Sequence, residues 1–230
     1  MKNLEVQTRI SPHRYPRQAF TLIEILVVLA IVGILAGIII AGIRTSIQSA
    51  NASKSRSNLR QIGALTQLYA AQNDQKVPHG KWGFNRNHLW LHALYPMTYD
   101  ETFPGFVPSD TGANLEDTIF YSPAVDPAEE GTPIRSYGWN IFVYDTDAPP
   151  GADADQRIRF NQVRDPARHA LAGDTLNSTA FSPGNIHFRN SGRANVLFID
   201  GHVEALSRKD VPLPGDGDQY NVFWHFNLDS

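Results

Sequence analysis

A lone carboxylate, Glu24, lies at the start of a long apolar segment. Residues 25–43 read ILVVLAIVGILAGIIIAGI and contain no charged or polar side chain. As a helix they cover about 28 Å, close to the roughly 30 Å hydrocarbon thickness of a bilayer. An ionised carboxylate in a membrane costs roughly 2.5–3.5 kcal/mol on insertion scales, so Glu24 either has a function or lies at the headgroup level. The segment predicts a retained transmembrane helix; the alternative is a cleaved secretory signal, whose apolar region is usually shorter.

Two histidines offer half of a metal site. His88 and His92 lie four residues apart within residues 87–95, a segment that predicts a short helix. A zinc ion would need a third ligand, such as His187 or His202, and no HExxH motif is present. Because the neighbouring side chains are large and apolar, we expect this helix to pack on a sheet and to bind no metal.

Two late carboxylates, Asp216 and Asp218, lie in the sequence PLPGDGDQY, which has the oxygen ligands that calcium prefers. An EF-hand pattern is absent and Gly-Asp turns are ordinary loop chemistry, so a plain turn is favoured over calcium. The chain contains no phosphate-binding loop and no nucleophile elbow. The absence of cysteine excludes disulfides and thiol nucleophiles. We therefore expect no enzyme and no cofactor, with calcium as the alternative at this loop.

The charges divide the chain into unlike parts. Among 230 residues there are 20 Lys+Arg and 23 Asp+Glu, which gives no indication of nucleic-acid binding. The first nineteen residues carry four Lys or Arg and one Glu, a net charge of +3. We predict a basic leader over residues 1–19, a transmembrane helix over 20–43, a helix continuation or linker over 44–76 and a globular head over 77–230.

The junction of leader and apolar segment reads AFTLIE at residues 19–24. A basic leader, a small residue, FTLIE and a long apolar helix together resemble the signal of type IV prepilins and type II secretion pseudopilins. The resemblance implies that prepilin peptidase cuts between Ala19 and Phe20 and methylates the new Phe20 amine. It further implies that Glu24 pairs with the Phe20 ammonium of a neighbouring subunit. The family usually has Gly before the cut, where this chain has Ala19.

Small residues recur along the apolar helix at Gly33, Gly37 and Ala41. A GxxxG spacing lets helices approach closely in lipid, although Gly and Ala are also simply frequent in membrane helices. The Lys and Arg residues that flank the helix are balanced and predict no orientation. The family resemblance alone places the leader in the cytoplasm and the head outside a bacterial inner membrane, in the periplasm or at the cell surface.

The remaining sequence predicts an α+β, pilin-like fold in which the helix continues to about Gln72 and packs on a small antiparallel sheet. A flexible linker over residues 45–57 is the alternative to a continuous helix. Strands are predicted over residues 135–144, 158–163, 170–173 and 186–189. The aromatic residues near the carboxyl terminus predict either a final strand or a partner-binding edge; they are Tyr220, Phe223, Trp224 and Phe226.

Asp200 and Gly201 predict the turn of a β-hairpin. Asp-Gly favours a two-residue type I′ turn, in which both residues have positive φ. That turn would place Phe198 opposite Val203 and put both side chains on one core face.

This hairpin carries a second resemblance. The sequence RNSGRANVLFIDGHVEAL resembles the carboxy-terminal signature of prepilin-type proteins named for a His, nine residues and Asp-Gly. Similar segments are SNLRQIGALTQLYA, FYSP, SYGWN and HALAGD. The signature His is Asn190 here, and Ser57 and Ser122 occupy positions where the family often has Cys, so no chemical role of that His is available to this chain.

Together these features predict a structural subunit of a short filament in a type II secretion-like system. Its expected partners are prepilin peptidase, other pilin or pseudopilin subunits, an inner-membrane assembly platform and the lipid bilayer, with no nucleic acid. The alternative is a membrane-tethered enzyme or glycan-binding module that uses a pilin-type anchor.

Overall fold

The computed structural model describes residues 20–78, 90–103, 115, 117–126, 135–142 and 158–225. The predicted leader and His88 therefore lie outside the described residues. The chain forms two compact units, Met1–Arg44 and Thr45–Ser230. Helix α1, Leu22–Gln72, contributes to both.

In the first unit, α1 exposes its apolar side chains. Those of Ile25, Leu29 and Ile38 are 50%, 66% and 68% exposed. Among the described residues, α1 is the one helix long and apolar enough to cross a membrane, with a mean hydropathy of 3.1 in its apolar window. Soluble proteins rarely leave an apolar surface of this extent in contact with water, so a partner or lipid is expected to cover it.

In the second unit, α1 buries one face along its length. The buried positions recur every three or four residues, as the 3.6-residue period of a helix requires: Ser55, Leu59, Ile62, Thr66 and Ala70. The helix ends because Asp74 and Gln75 adopt left-handed φ values of 53° and 63°, and the Gln75 N–H donates to the Ala70 carbonyl. Residues 45–57 are helical, so the helix continues where a linker was the alternative.

Five strands form one sheet in the order β3-β1-β2-β4-β5. They are β1 Tyr137–Asn140, β2 Ala170–Asp174, β3 Ala180–Phe181, β4 Arg193–Phe198 and β5 Val203–Ser207. Neighbours are antiparallel except β1 and β3, which are parallel. The sheet is thus mixed and not antiparallel throughout. One edge of β2 pairs with β1 and the other edge pairs with β4. Strand β3, which follows β2 in the chain, therefore pairs with the free edge of β1 and runs parallel to it.

Both faces of the sheet are covered. Leu197 and Trp139 pack on one face with Leu59 and Ile62 of α1. The opposite face packs against helix α4, Asp218–Trp224, whose Phe223 and Trp224 are buried. Two short helices, α2 Trp90–Leu94 and α3 Pro96–Tyr99, complete the described helices on the α1 side.

Three predicted strands are wrong. Residues 158–163 contain a 3₁₀ helix, Phe160–Gln162, and residues 186–189 contribute only an isolated bridge between Thr175 and Ile186. The final aromatic segment is α4 and not a strand, because Tyr220, Phe223 and Trp224 recur at helical spacing and pack on the sheet with one side.

The Asp200–Gly201 hairpin has a different turn from the predicted one. Leu197 pairs with Val203, one residue out of the predicted register. The Phe198 N–H donates to the His202 carbonyl at 2.9 Å and the Gly201 N–H donates to the Phe198 carbonyl at 3.0 Å, which closes a three-residue loop. Only Gly201 of the two turn residues has a positive φ, 91°. This is a type I turn with a glycine bulge, so Phe198 and Val203 lie on opposite faces.

Candidate functional site

The start of α1 is a reciprocal capping box between Thr21 and Glu24. The Thr21 N–H and the Thr21 hydroxyl both donate to Oε2 of Glu24 at 2.8 Å, and the Glu24 N–H contacts the Thr21 hydroxyl oxygen at 3.3 Å. Thr, two residues and Glu before an apolar run is the sequence signature of this motif. Thr21 is thus a functional residue that was not predicted alongside Glu24, although the Thr-to-Glu spacing identifies it.

The capping box holds Glu24 at the helix start through its Oε2 atom and does not use Oε1. Within the part of the chain that the structure describes, Oε1 accepts no hydrogen bond. A carboxylate at this end of a helix is also stabilised by the helix dipole. Phe20 lies four residues before Glu24 and is 82% exposed.

Gly33 and Gly37 lie farther along the same apolar surface. Among the described residues, a Cβ added at either glycine would meet no atom within 4 Å beyond the nearby backbone of the helix itself. Neither glycine is therefore required for packing within one chain. Their proposed role in helix association stays a prediction, as do the processing at Ala19 and Phe20 and the pairing of Glu24.

The second unit contains a buried polar cluster around Asp174, the last residue of β2. The Asn190 Nδ2 and the Asn195 N–H each donate to Oδ2 of Asp174 at 2.7 Å. The Arg189 Nε lies 3.8 Å from Oδ1. Asp174 is fully buried, and these groups supply the hydrogen bonds and the opposite charge that a buried carboxylate requires.

The same cluster connects α1 to the sheet. The Tyr137 hydroxyl donates to Oγ of Ser55 on α1 at 2.9 Å, and the Asn195 Nδ2 reaches the same oxygen at 3.1 Å. Burial, together with the charge of Asp174, raises the pKa of Tyr137 above its usual value, so the phenol stays protonated. These hydrogen bonds hold α1 in one position on the sheet, because all four side chains of the network are buried: Ser55, Tyr137, Asp174 and Asn195.

A polar cleft of about 420 Å³ lies beside this cluster. Its lining includes Arg189 and Asn190, which also contact Asp174. The other lining residues come from α1 and from two loops: Gln48, Asn51, Pro123, Ala124, Val125, Asp126, His187, Phe188 and Ser191. Most of the lining residues are polar, and polar groups of this kind orient a ligand through hydrogen bonds.

The histidines do not assemble into a zinc site in the described structure. The His92 ring makes an edge contact with Phe103, with 4.9 Å between ring centroids. His202 lies between two carboxylates, with Nδ1 against Asp200 and Nε2 3.6 Å from Glu204. The two carboxylates contact opposite nitrogens of the ring, so a single metal ion bound to one nitrogen of His202 could not also bind both carboxylates in this arrangement. No group of three or more His, Asp or Glu suited to a metal occurs among the described residues.

The loop that contains Asp216 forms a hydrogen-bonded turn. Oδ2 of Asp216 accepts the Leu213 N–H at 2.6 Å, and Asp218 begins α4. One carboxylate oxygen of Asp216 is thus already used by its own backbone. Calcium at this loop was the less favoured alternative to a plain turn, and it stays untested.

Residues 14–40 match the family model of the prokaryotic N-terminal methylation motif. This motif supports a type IV pilin-like protein, the class whose amino terminus prepilin peptidase processes, and the exposed apolar helix and the mixed α+β head are consistent with that class. The chain therefore carries a prepilin-type amino terminus, which supports its placement among the pilins and pseudopilins. The match ends at residue 40, so the resemblance of the Asp200–Gly201 hairpin to a family signature stays a prediction. Neither a curated protein nor a solved structure matches the chain.

Proposed function

We propose that the chain is a structural pseudopilin-like subunit of a short filament in a type II secretion-like system. The observation that carries the proposal is the joining of a prepilin methylation motif to an apolar helix whose side chains are exposed in the single chain. Cleavage between Ala19 and Phe20 creates an ammonium group four residues before Glu24. In this role the protein is a substrate of prepilin peptidase and performs no reaction of its own.

Assembly follows from the cost of isolated charges in lipid. The Glu24 carboxylate and the Phe20 ammonium are each expensive in a membrane, and they offset one another when neighbouring subunits bring them together. Oε1 of Glu24 is the oxygen left for this contact, since Thr21 occupies Oε2. The pair would set the axial register between subunits, while Gly33 and Gly37 allow close approach of their helices.

The proposed location is the bacterial inner membrane, crossed once by α1. The leader faces the cytoplasm and the head lies in the periplasm or at the cell surface. The proposed partners are prepilin peptidase, other pilin or pseudopilin subunits, the inner-membrane assembly platform and the surrounding lipid.

Two variants separate pairing from capping at Glu24. Glu24→Gln keeps an oxygen that can accept from Thr21 but removes the charge, whereas Thr21→Ala removes the capping partner and keeps the charge. We expect Glu24→Gln to insert into the membrane, to be cleaved and to fail to enter filaments, while Thr21→Ala assembles. Incorporation into filaments can be quantified by cross-linking in intact cells and immunoblotting, which detects periplasmic and surface filaments alike, beside a membrane-fraction control. Normal assembly of Glu24→Gln would overturn the proposed pairing.

A second function is favoured by one observation, the polar cleft beside Arg189. A membrane-tethered module could use its amide groups to bind a glycan. A glycan array probed with the detergent-solubilised chain tests this function. Binding that is lost in Asn51→Ala would support a glycan-binding module. The absence of binding would contradict it and would leave the filament subunit as the proposed function.

A further inference from the structure

The outer edge of the sheet at β5 is closed by side chains of the chain itself. In the described part of the chain β5 pairs only with β4. Because the Phe198 N–H donates to the His202 carbonyl, residues 202, 204 and 206 direct their backbone groups toward β4. The backbone groups of Val203, Ala205 and Ser207 therefore face away from the sheet. Such an edge is a ready template for pairing with a strand of another chain.

The side chains of two charged residues form hydrogen bonds with the outward backbone groups of this edge. The Arg193 Nη1 donates to the Ala205 carbonyl at 3.0 Å, at the middle of the edge. The Ser207 N–H donates to Oδ2 of Asp210 at 3.0 Å, and the Ser207 hydroxyl donates to the same oxygen at 2.5 Å. The outward acceptor of Ala205 and the outward donor of Ser207 are thus both used within the chain.

The two covering groups also interact through their charges. The hydrogen bonds from Ser207 hold the pKa of Asp210 below its usual value, with smaller contributions from Lys209 and Arg193. Asp210 is therefore ionised at neutral pH, and its charge favours the position of the nearby Arg193 guanidinium. Charged side chains on edge strands are a known defence of β proteins against unwanted pairing.

We propose that Arg193 and Asp210 prevent the β5 edge of one copy from adding to the β5 edge of a second copy. Filament formation would crowd many copies together, and an open edge would then allow heads to join through their sheets instead of through α1. The inference concerns the sheet edge and does not depend on the role of Glu24, so the two can fail separately.

The test uses a cysteine probe, because the chain has no cysteine of its own. Glu204→Cys places a thiol on an exposed position of β5. In the full-length chain in detergent micelles, a short bismaleimide joins two copies when their β5 edges lie side by side, since paired strands are only about 5 Å apart. We compare this probe in the wild-type edge, in Arg193→Ala/Asp210→Ala and in Lys209→Ala, which changes a charge on the same turn without opening the edge.

We expect several-fold more cross-linked dimer from the double variant than from the wild-type edge or Lys209→Ala, together with faster hydrogen exchange of the Ser207 amide. Arg193→Lys, which keeps a donor, should stay at the wild-type level. If the double variant fails to fold, Arg193→Ala alone carries the test because it leaves the Ser207–Asp210 contacts intact. A folded Arg193→Ala or double variant with cross-linking equal to the wild-type edge would overturn the proposal.

Discussion

Asn190 holds Asp174 through a hydrogen bond of 2.7 Å from its Nδ2 to Oδ2 of the carboxylate. The bond joins the turn before β4 to the end of β2, where Asp174 is fully buried and Asn190 is only 9% exposed. Asn190 therefore has a structural role in the buried cluster.

Replacing Asn190 by Ala should destabilise the second unit by about 1–3 kcal/mol, because a buried carboxylate loses a donor and cannot recover it from solvent. The measurement is the free energy of unfolding in urea, followed by tryptophan fluorescence; all four tryptophans of the sequence lie beyond residue 45. Asn161→Ala, at an exposed position, is the matched control and should change the free energy by less than about 0.5 kcal/mol. Equal effects of the two substitutions would contradict a special role for Asn190.

Gly138 is required by close packing in β1. A Cβ there would lie 2.5 Å from Thr175 Cγ2 and 2.6 Å from the Ala180 backbone carbon. Gly138→Ala should therefore lower the free energy of unfolding by about 1–3 kcal/mol, the usual cost of overpacking. Gly184→Ala is the control, since a Cβ there meets nothing within 4 Å. The prediction fails if both variants unfold at the same urea concentration.

The second unit should lose stability as the pH falls below about 6.5, partly because of His169. Burial lowers the pKa of His169 below its ordinary value of 6.5. At a pH between the folded and the unfolded pKa of His169, the unfolded chain binds more protons than the folded chain. As the pH falls through this range, each such histidine therefore lowers the free energy of unfolding by up to about 1.4 kcal/mol per pH unit. Burial also lowers the pKa of His225, which is less buried.

His169→Gln should flatten the pH dependence of stability between pH 5 and 7 more than His225→Gln does. Urea unfolding at several pH values measures the slope directly. An unchanged slope in His169→Gln would show that other groups determine the acid sensitivity.

Substitutions on the small-residue surface of α1 should affect assembly and leave the single chain intact. Gly33→Leu and Gly37→Leu introduce no clash within the chain, since nothing lies within 4 Å of an added Cβ. If helices associate through these positions, both variants should express and insert normally but assemble at least several-fold less. Gly42→Leu lies off this spacing and also meets nothing within 4 Å, so it should assemble normally. Equal assembly of all three variants, measured by cross-linking in intact cells, would exclude helix packing at Gly33 and Gly37.

The long helix and the α+β class could be predicted from the sequence because their signals are local. The apolar run over residues 25–43 and the predicted continuation to about Gln72 agree with α1, which ends at Gln72. The sheet was harder to predict, since the parallel pairing of β1 with β3 depends on which edge remains open after β4 has joined β2.

The turns show the limits of dipeptide signals. Asp200-Gly201 predicted a type I′ turn, but Asp200 accepts the His202 N–H at 3.0 Å and keeps a negative φ, so Gly201 alone takes the left-handed position. Positive φ at both turn residues occurs instead at Ser191 and Gly192, with values of 53° and 79°. The buried cluster around Asp174 was also missed, because its members are distant in sequence and no short motif unites them.

Mass spectrometry of the mature protein purified from bacterial membranes shows whether its amino terminus is processed as in prepilins. Processing by prepilin peptidase between Ala19 and Phe20 predicts a chain that begins with N-methylated Phe20 and retains Glu24 and the whole of α1. An intact Met1, or a cut beyond Ile43 that removes the apolar helix, would contradict the account.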